Sequence, residues 1–151
     1  MRVLLTPGRG QVLPGVVPLL QAIAREPGWV TGLLTGNMTE MARIKLAHYG
    51  LDPWFEFGGY GEQARDRDAL ACAVVARAVA GYGVTPEQCI VVGDTVHDVA
   101  CARAAGARVV AVATGGQGLD VLAGARPDLL LPTLADAAPL LHWARAIAGS
   151  G

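Results

Sequence analysis

The stretch CIVVGDTVHDVACARAAGA at residues 89–107 constrains the chain more than any other. It opens on Cys89-Ile90-Val91-Val92, a continuous apolar run of the kind that fills a strand buried on both faces. Gly93-Asp94 interrupts the run, and a helix is predicted over about 96–105, stopped by Gly106. Asp94 then sits at the carboxyl end of its strand, where parallel α/β sheets place ligands. Asp98 follows in the first turn of the helix. Carboxylates on a strand end and on the next helical turn can face one point, and that point suits a hard, oxygen-seeking cation such as Mg²⁺. Thr95-x-x-Asp98 fits a helix capping box equally well. Asp94 has no such ordinary role, because a carboxylate between an apolar strand and a helix start is costly unless something pairs with it.

The rest of the chain repeats the strand-to-helix pattern. A short apolar run at 3–5 leads to Thr6-Pro7-Gly8-Arg9-Gly10, which reads as a frayed lead-in or as a strand and turn. Val16, Leu19, Leu20 and Ile23 space one buried stripe on a helix over 16–25, stopped by Pro27-Gly28. A strand at 29–34 ends in Thr35-Gly36-Asn37, and a helix over 39–48 follows. Such a turn before a helix N-terminus is an anion cradle; it is also an ordinary turn with Asn37 or Thr39 as cap. A short strand is predicted at 55–57, and the glycines at 58, 59 and 61 lack the spacing of a dinucleotide site. Arg65-Asp66-Arg67-Asp68 opens a long helix to about 80; its arginines face either the site or solvent. Beyond residue 107 come a strand at 108–113, a Gly-rich loop, a short helix at 119–123, a strand at 128–131 and a helix over 134–148.

Strands alternating with helices through short loops predict a single-domain, doubly wound parallel α/β sheet. In that topology Thr35, Arg67 and Asp94 all follow strands and share one edge. The chain has 151 residues, enough for one sizeable core. At 52% hydrophobic and 17% charged, with net charge −1, it is unsuited to a polyanion surface, so no nucleic-acid partner is expected. The uncharged run at 10–24 holds Pro14 and Pro18 and is too short to span a bilayer. Cys72, Cys89 and Cys101 lack metal spacing and read as small buried apolar residues in a reducing, cytoplasmic setting. His48, His97 and His142 have no nucleophile nearby in sequence and read as structural or exposed.

These motifs resemble the haloacid dehalogenase superfamily, in particular its phosphoglycolate-phosphatase-like members, from about Leu13 onward. Leu33-Leu34-Thr35-Gly36-Asn37 is similar to the family's second motif, whose Thr binds the transferring phosphoryl group. Gly93-Asp94-Thr95-Val96-His97-Asp98 is similar to the fourth, where the first acid binds Mg²⁺ and the second supports that site. The resemblance implies a Rossmann-like core with its cap largely absent, hydrolysis of small phosphorylated metabolites, Mg²⁺ at Asp94 and Asp98, and phosphate at Thr35, Gly36, Asn37 and a cation.

Two departures qualify that implication. The family's third-motif Lys has no counterpart, since Lys45 lies in the wrong helix; Arg67 is the nearest substitute and Arg65 the next. The Asp-x-Asp motif, which supplies nucleophile and general acid, is missing: no Asp precedes Asp52, and the earlier acids Glu26 and Glu40 lie on or beside helices. Truncation accounts for this if the first strand and most of the cap are lost. Alternatively residues 3–5 replace the central strand, with Thr6 at the nucleophile position and Gly8 at the second acid; the two accounts are compatible. An unfilled gap in the sheet would favour a homo-oligomer. Without the nucleophile, the expectations are an impaired phosphohydrolase scaffold or a non-catalytic anion- and metal-binding or assembly module.

Overall fold

The computed structural model of the chain describes residues 2–5 and 12–150, with side chains from residue 12 onward. Its elements are β1 (Arg2–Leu5), α1 (Val16–Arg25), β2 (Val30–Leu34), α2 (Thr39–His48), β3 (Phe57–Gly59), α3 (Arg67–Tyr82), β4 (Cys89–Gly93), α4 (Val96–Ala104), β5 (Arg108–Val112), α5 (Leu119–Gly124), β6 (Leu129–Leu131) and α6 (Ala138–Ala148). The strands form one six-stranded sheet in the order β3-β2-β1-β4-β5-β6, with every pair parallel. This is the doubly wound order, and its switch point lies between β1 and β4.

Alternation along the strands divides the core. Leu33, Ile90, Val92, Val110 and Val112 face one side, against Leu19, Leu20 and Ile23 of α1, Ala42 and Leu46 of α2, and Leu140 of α6. Leu34, Val91, Val109 and Ala111 face the other, against α3 (Leu70, Val74, Val75), α4 (Val99, Ala102) and α5 (Leu122). Both faces of β4 are covered, which is why residues 89–92 are apolar without interruption.

Most predicted elements form with ends shifted by a residue or two. Two shift further. The strand expected at 55–57 forms at Phe57–Gly59, because Asp52–Trp54 first makes a 3-10 turn. The last helix begins at Ala138, not at 134; Leu134 is instead a buried member of the core.

Residues 2–5 are a strand between β2 and β4, paired in parallel with both. With β1 there, the two flanking strands have no unpaired inner edges, so the sheet offers no central gap for a second copy to fill. Because β1 is bonded on both sides, a proline within it must remove a ladder hydrogen bond. Leu4→Pro is therefore expected to lower the stability of the full chain by at least about 2 kcal/mol in urea unfolding. An unchanged midpoint would mean that β1 is not integral to the sheet.

Candidate functional site

Register brings the candidate residues together at the carboxyl edge. Leu5 of β1 pairs with Leu33 of β2 and with Val92 of β4. Thr35 and Asp94 each stand two residues beyond those partners, so they are level on either side of the central strand. Twice the usual strand spacing sets their backbones roughly 10 Å apart. The readings of Thr6 and Gly8 as the nucleophile and acid positions fall outside the described residues.

Thr35 is buried, and its N–H donates to the Gly59 carbonyl at 3.1 Å, extending the β2–β3 ladder by one step. Its Oγ1 accepts the Asn37 N–H at 3.1 Å. A hydroxyl that accepts there still has its own hydrogen to donate to an anion.

Asp98 is fully buried and its carboxylate is occupied on both oxygens. Oδ2 accepts from Asp94 N at 3.0 Å, Thr95 N at 3.0 Å and Thr95 Oγ1 at 2.9 Å. Oδ1 accepts from the Arg67 guanidinium at 2.5 Å. The capping box is therefore real: Thr95 Oγ1 returns the bond by accepting Asp98 N at 3.2 Å. These partners leave Asp98 as a support for the site and for Arg67, with little capacity to ligate a cation directly.

Arg67 is the first residue of α3, and Asp66 caps that helix by accepting Ala69 N at 2.8 Å. A cation in the first turn opposes the helix dipole, and the ion pair with Asp98 offsets that opposition. One terminal nitrogen is spent on Asp98, Nε is buried without a partner, and the other terminal nitrogen reaches toward Gly36, 3.9 Å from where a Cβ there would lie. Arg65 points elsewhere: its side chain is 87% exposed and pairs with Asp66. Of the two arginines, Arg67 is the one beside the Thr35 turn.

Asp94 is partly buried, and burial is the main cause that pushes its carboxyl above the ordinary value, with the Asp98 charge adding to it. Hydrogen bonding by backbone and the positive charge of Arg67 offset this in part. Gly115 in the β5–α5 loop lies so close that a Cβ there would sit 2.1 Å from Asp94 Oδ2. A desolvated carboxylate on a strand end, held against a backbone without a side chain, fits a cation that takes one carboxylate and fills its other positions with water and substrate oxygens. Among the described residues no cluster of three or more His, Cys, Asp or Glu side chains surrounds it.

Two contacts here have no local sequence signature. Glu62, in the loop after β3, accepts Thr39 N at 3.0 and 3.1 Å and also Thr39 Oγ1, so a carboxylate from outside the helix caps α2. Neither Asn37 nor Thr39 is that cap; the N-cap residue is Met38, which has no acceptor to offer. The Gln117 side chain caps α4 in the same manner, accepting Val96 N at 2.7 Å. The expected cradle at 35–37 thus differs in detail, since the Asn37 and Thr39 N–H groups are already used.

The cysteines supply no substitute nucleophile. Cys101 is buried beneath Asp98, and burial, then the Asp98 charge, pushes its thiol up to about 11. Cys72, expected to be buried, is exposed on α3 and donates to the Ala104 carbonyl at 3.4 Å. Among the described residues, no helix is long and apolar enough to cross a membrane.

The sequence profile of the haloacid dehalogenase-like hydrolases matches residues 4–103, two thirds of the chain. The chain belongs to that family. A second profile, described as HAD-hydrolase-like, matches residues 70–137. A phosphoglycolate phosphatase of Nitrosococcus oceani is 27% identical over 140 residues, covering 92% of this chain and 61% of its own length. A pyrophosphatase of Bacillus pumilus is 26% identical over 114 residues, 76% of this chain and 52% of its own. The crystal structure of a predicted phosphoglycolate phosphatase from Haemophilus somnus superposes with a TM-score of 0.75 at 24% identity, over 87% of this chain and 57% of that one. The chain therefore spans between half and about three fifths of the length of these relatives. The names of these relatives differ in the activity they give.

Removing Asp98 strands the partly buried Arg67 charge and three donors. Asp98→Ala is expected to cost about 3–5 kcal/mol in chemical unfolding, and Asp98→Asn less. A loss below about 1 kcal/mol would contradict this role. Asp94 has the opposite sign. Its folded carboxyl is raised above the ordinary 3.8, so ionising it works against folding as pH rises through the folded value. Without added metal, Asp94→Asn should match the parent below the unfolded value and be the more stable at pH 7, as thermal melts at the two pH values would show.

Proposed function

We propose that this chain is a haloacid dehalogenase-type scaffold for small phosphate esters that binds Mg²⁺ and a phosphoryl group but turns over poorly, because it lacks the attacking carboxylate. The observation that carries this reading is the level placement of Thr35 and Asp94 across β1, with Arg67 beside Gly36, in a sequence that has no Asp before Asp52.

The residues take separate roles. Thr35 donates its hydroxyl hydrogen to a phosphoryl oxygen. Arg67 donates from the terminal nitrogen that Asp98 does not hold, and Asp98 fixes the direction of that donation. Asp94 would hold Mg²⁺, with Asp98 fixing the backbone at Asp94 and Thr95 from behind. When bound, the ion supplies charge neutralisation for the phosphoryl oxygens. Such clamping stabilises developing charge without providing an attacking group, and transfer through an aspartyl phosphate needs a carboxylate nucleophile.

The missing Asp-x-Asp favours a second reading, a non-catalytic module that binds anion and metal, or serves assembly, on the same fold. That relatives are named for phosphoglycolate and for pyrophosphate supports small phosphorylated metabolites as the ligand class.

Hydrolysis of p-nitrophenyl phosphate with and without Mg²⁺, beside Asp94→Asn, tests the proposal. Mg²⁺-dependent turnover should not exceed the Asp94→Asn background. Orthophosphate should bind the parent in the presence of Mg²⁺, at least about tenfold more weakly in Arg67→Ala. Robust turnover that Asp94→Asn abolishes would reveal an attacking group in this chain and overturn the impairment; absence of both phosphate and Mg²⁺ binding would overturn the scaffold reading itself.

A further inference from the structure

The turn that carries Thr35 is held from outside by the loop that follows β3. Thr35 N donates to Gly59 O at 3.1 Å, Gly61 N donates to Asn37 O at 2.9 Å, and Thr39 N donates to the Glu62 carboxylate at 3.0 and 3.1 Å. The first of these extends the parallel β2–β3 ladder by one step; the other two tie the turn and the first residue of α2 to the loop after β3. The two segments lie so close that a Cβ on Gly61 would sit 2.2 Å from the Gly36 carbonyl oxygen. The last tie differs in kind from the others, because a charged side chain makes it.

Glu62 is well suited to that tie. Both oxygens reach Thr39 N, and Oε1 also accepts the Thr39 hydroxyl. Bonds to an ionised acceptor are stronger than neutral ones, and a carboxylate at a helix N-terminus is favoured by the dipole. The same bonds hold the Glu62 carboxyl below its ordinary range. Met38, in the N-cap position, provides no side-chain acceptor, so α2 has no local cap to take over. With Thr39 N occupied by the chain's own carboxylate, that amide is not open to a ligand anion, and the weight falls on the turn at 35–37 and Arg67.

We propose that Glu62 is a positioning residue of the phosphate site: by clamping Thr39 it locks the turn at 35–37 so that the Thr35 hydroxyl stays directed at the phosphoryl group. The inference rests on the phosphate-binding reading above. It assigns Glu62 no contact with the ligand; the residue acts through Thr39 and Asn37.

Amide hydrogen exchange and orthophosphate titration in the presence of Mg²⁺, on the full chain and on Glu62→Ala and Glu62→Gln, decide it. Glu62→Ala should speed exchange at Asn37 and Gly61 by about tenfold, the loss of roughly one hydrogen bond, while the amides of β4 keep their rates. Phosphate affinity should fall by a similar factor. Glu62→Gln retains an acceptor oxygen and should lie between Glu62→Ala and the parent in both readouts. A purely repulsive charge near the site would instead make both variants bind phosphate more tightly, which overturns the proposal. So does unchanged exchange at Asn37 and Gly61, or phosphate binding by Glu62→Ala as tight as the parent's. A parent chain that binds no phosphate would sink the function on which the inference rests, while the exchange data would still report whether the clamp exists.

Discussion

The buried carboxylate of Asp98 joins three elements at the carboxyl edge. One oxygen gathers the end of β4 and the start of α4 through Asp94 N and Thr95; the other holds Arg67 at the start of α3. A buried charge is tolerated only when its partners are in place, and here backbone amides, a hydroxyl and a guanidinium all converge on it. The geometry of Arg67 and the backbone position of Asp94 both follow from this one group. Helix α3 packs on α4 through Leu70, Val74, Val99 and Ala102, so the polar node sits at the end of an apolar seam that fixes the helices first. The seam sets the distance between Arg67 and Asp98, and the ion pair sets the direction.

The edge itself exists because β1 is central. Four residues are few for an inner strand, yet they are bonded on both sides, and the parallel register through Leu5 is what makes Thr35 and Asp94 level. A slip of one residue in a parallel pair would reverse which side chains face each layer of the core. Burial of Leu33 and Val92 on one face and Leu34 and Val91 on the other therefore guards the site's geometry from a distance.

What the sequence makes legible follows the range of the interactions. The apolar run at 89–92, the stripe at Leu19, Leu20 and Ile23 and the Thr95-x-x-Asp98 box act within a few residues, and the elements they predict form. The single edge shared by Thr35, Arg67 and Asp94 follows from the alternation of strands and helices. The caps from Glu62 and Gln117 cross 23 and 21 residues, so no local spacing announces them. The choice between Arg65 and Arg67 was likewise tertiary, since both belong to one charged patch and only one meets a buried acid. Cys72 departs from the expected burial for a related reason: it lies on the solvent side of a helix rich in Ala and Val, where composition does not reveal the face.

Charge accounting gives the proposed site a further property. Arg67 is already matched by Asp98, so it brings little uncompensated positive charge to an incoming phosphate. Asp94 adds a negative charge that burial makes costly, and Glu62 places another on the N-terminus of α2. Counting the described residues named here, a dianionic ligand approaching this edge alone meets more negative charge than positive. A divalent cation at Asp94 reverses that balance, because unit charges a few ångströms apart in a partly desolvated site interact by several kcal/mol. On the proposed function, metal and phosphate bind with positive coupling: each removes the electrostatic objection to the other. Thr35, which carries no charge, then contributes direction rather than attraction, and this makes the rigidity of its turn matter more than the field around it.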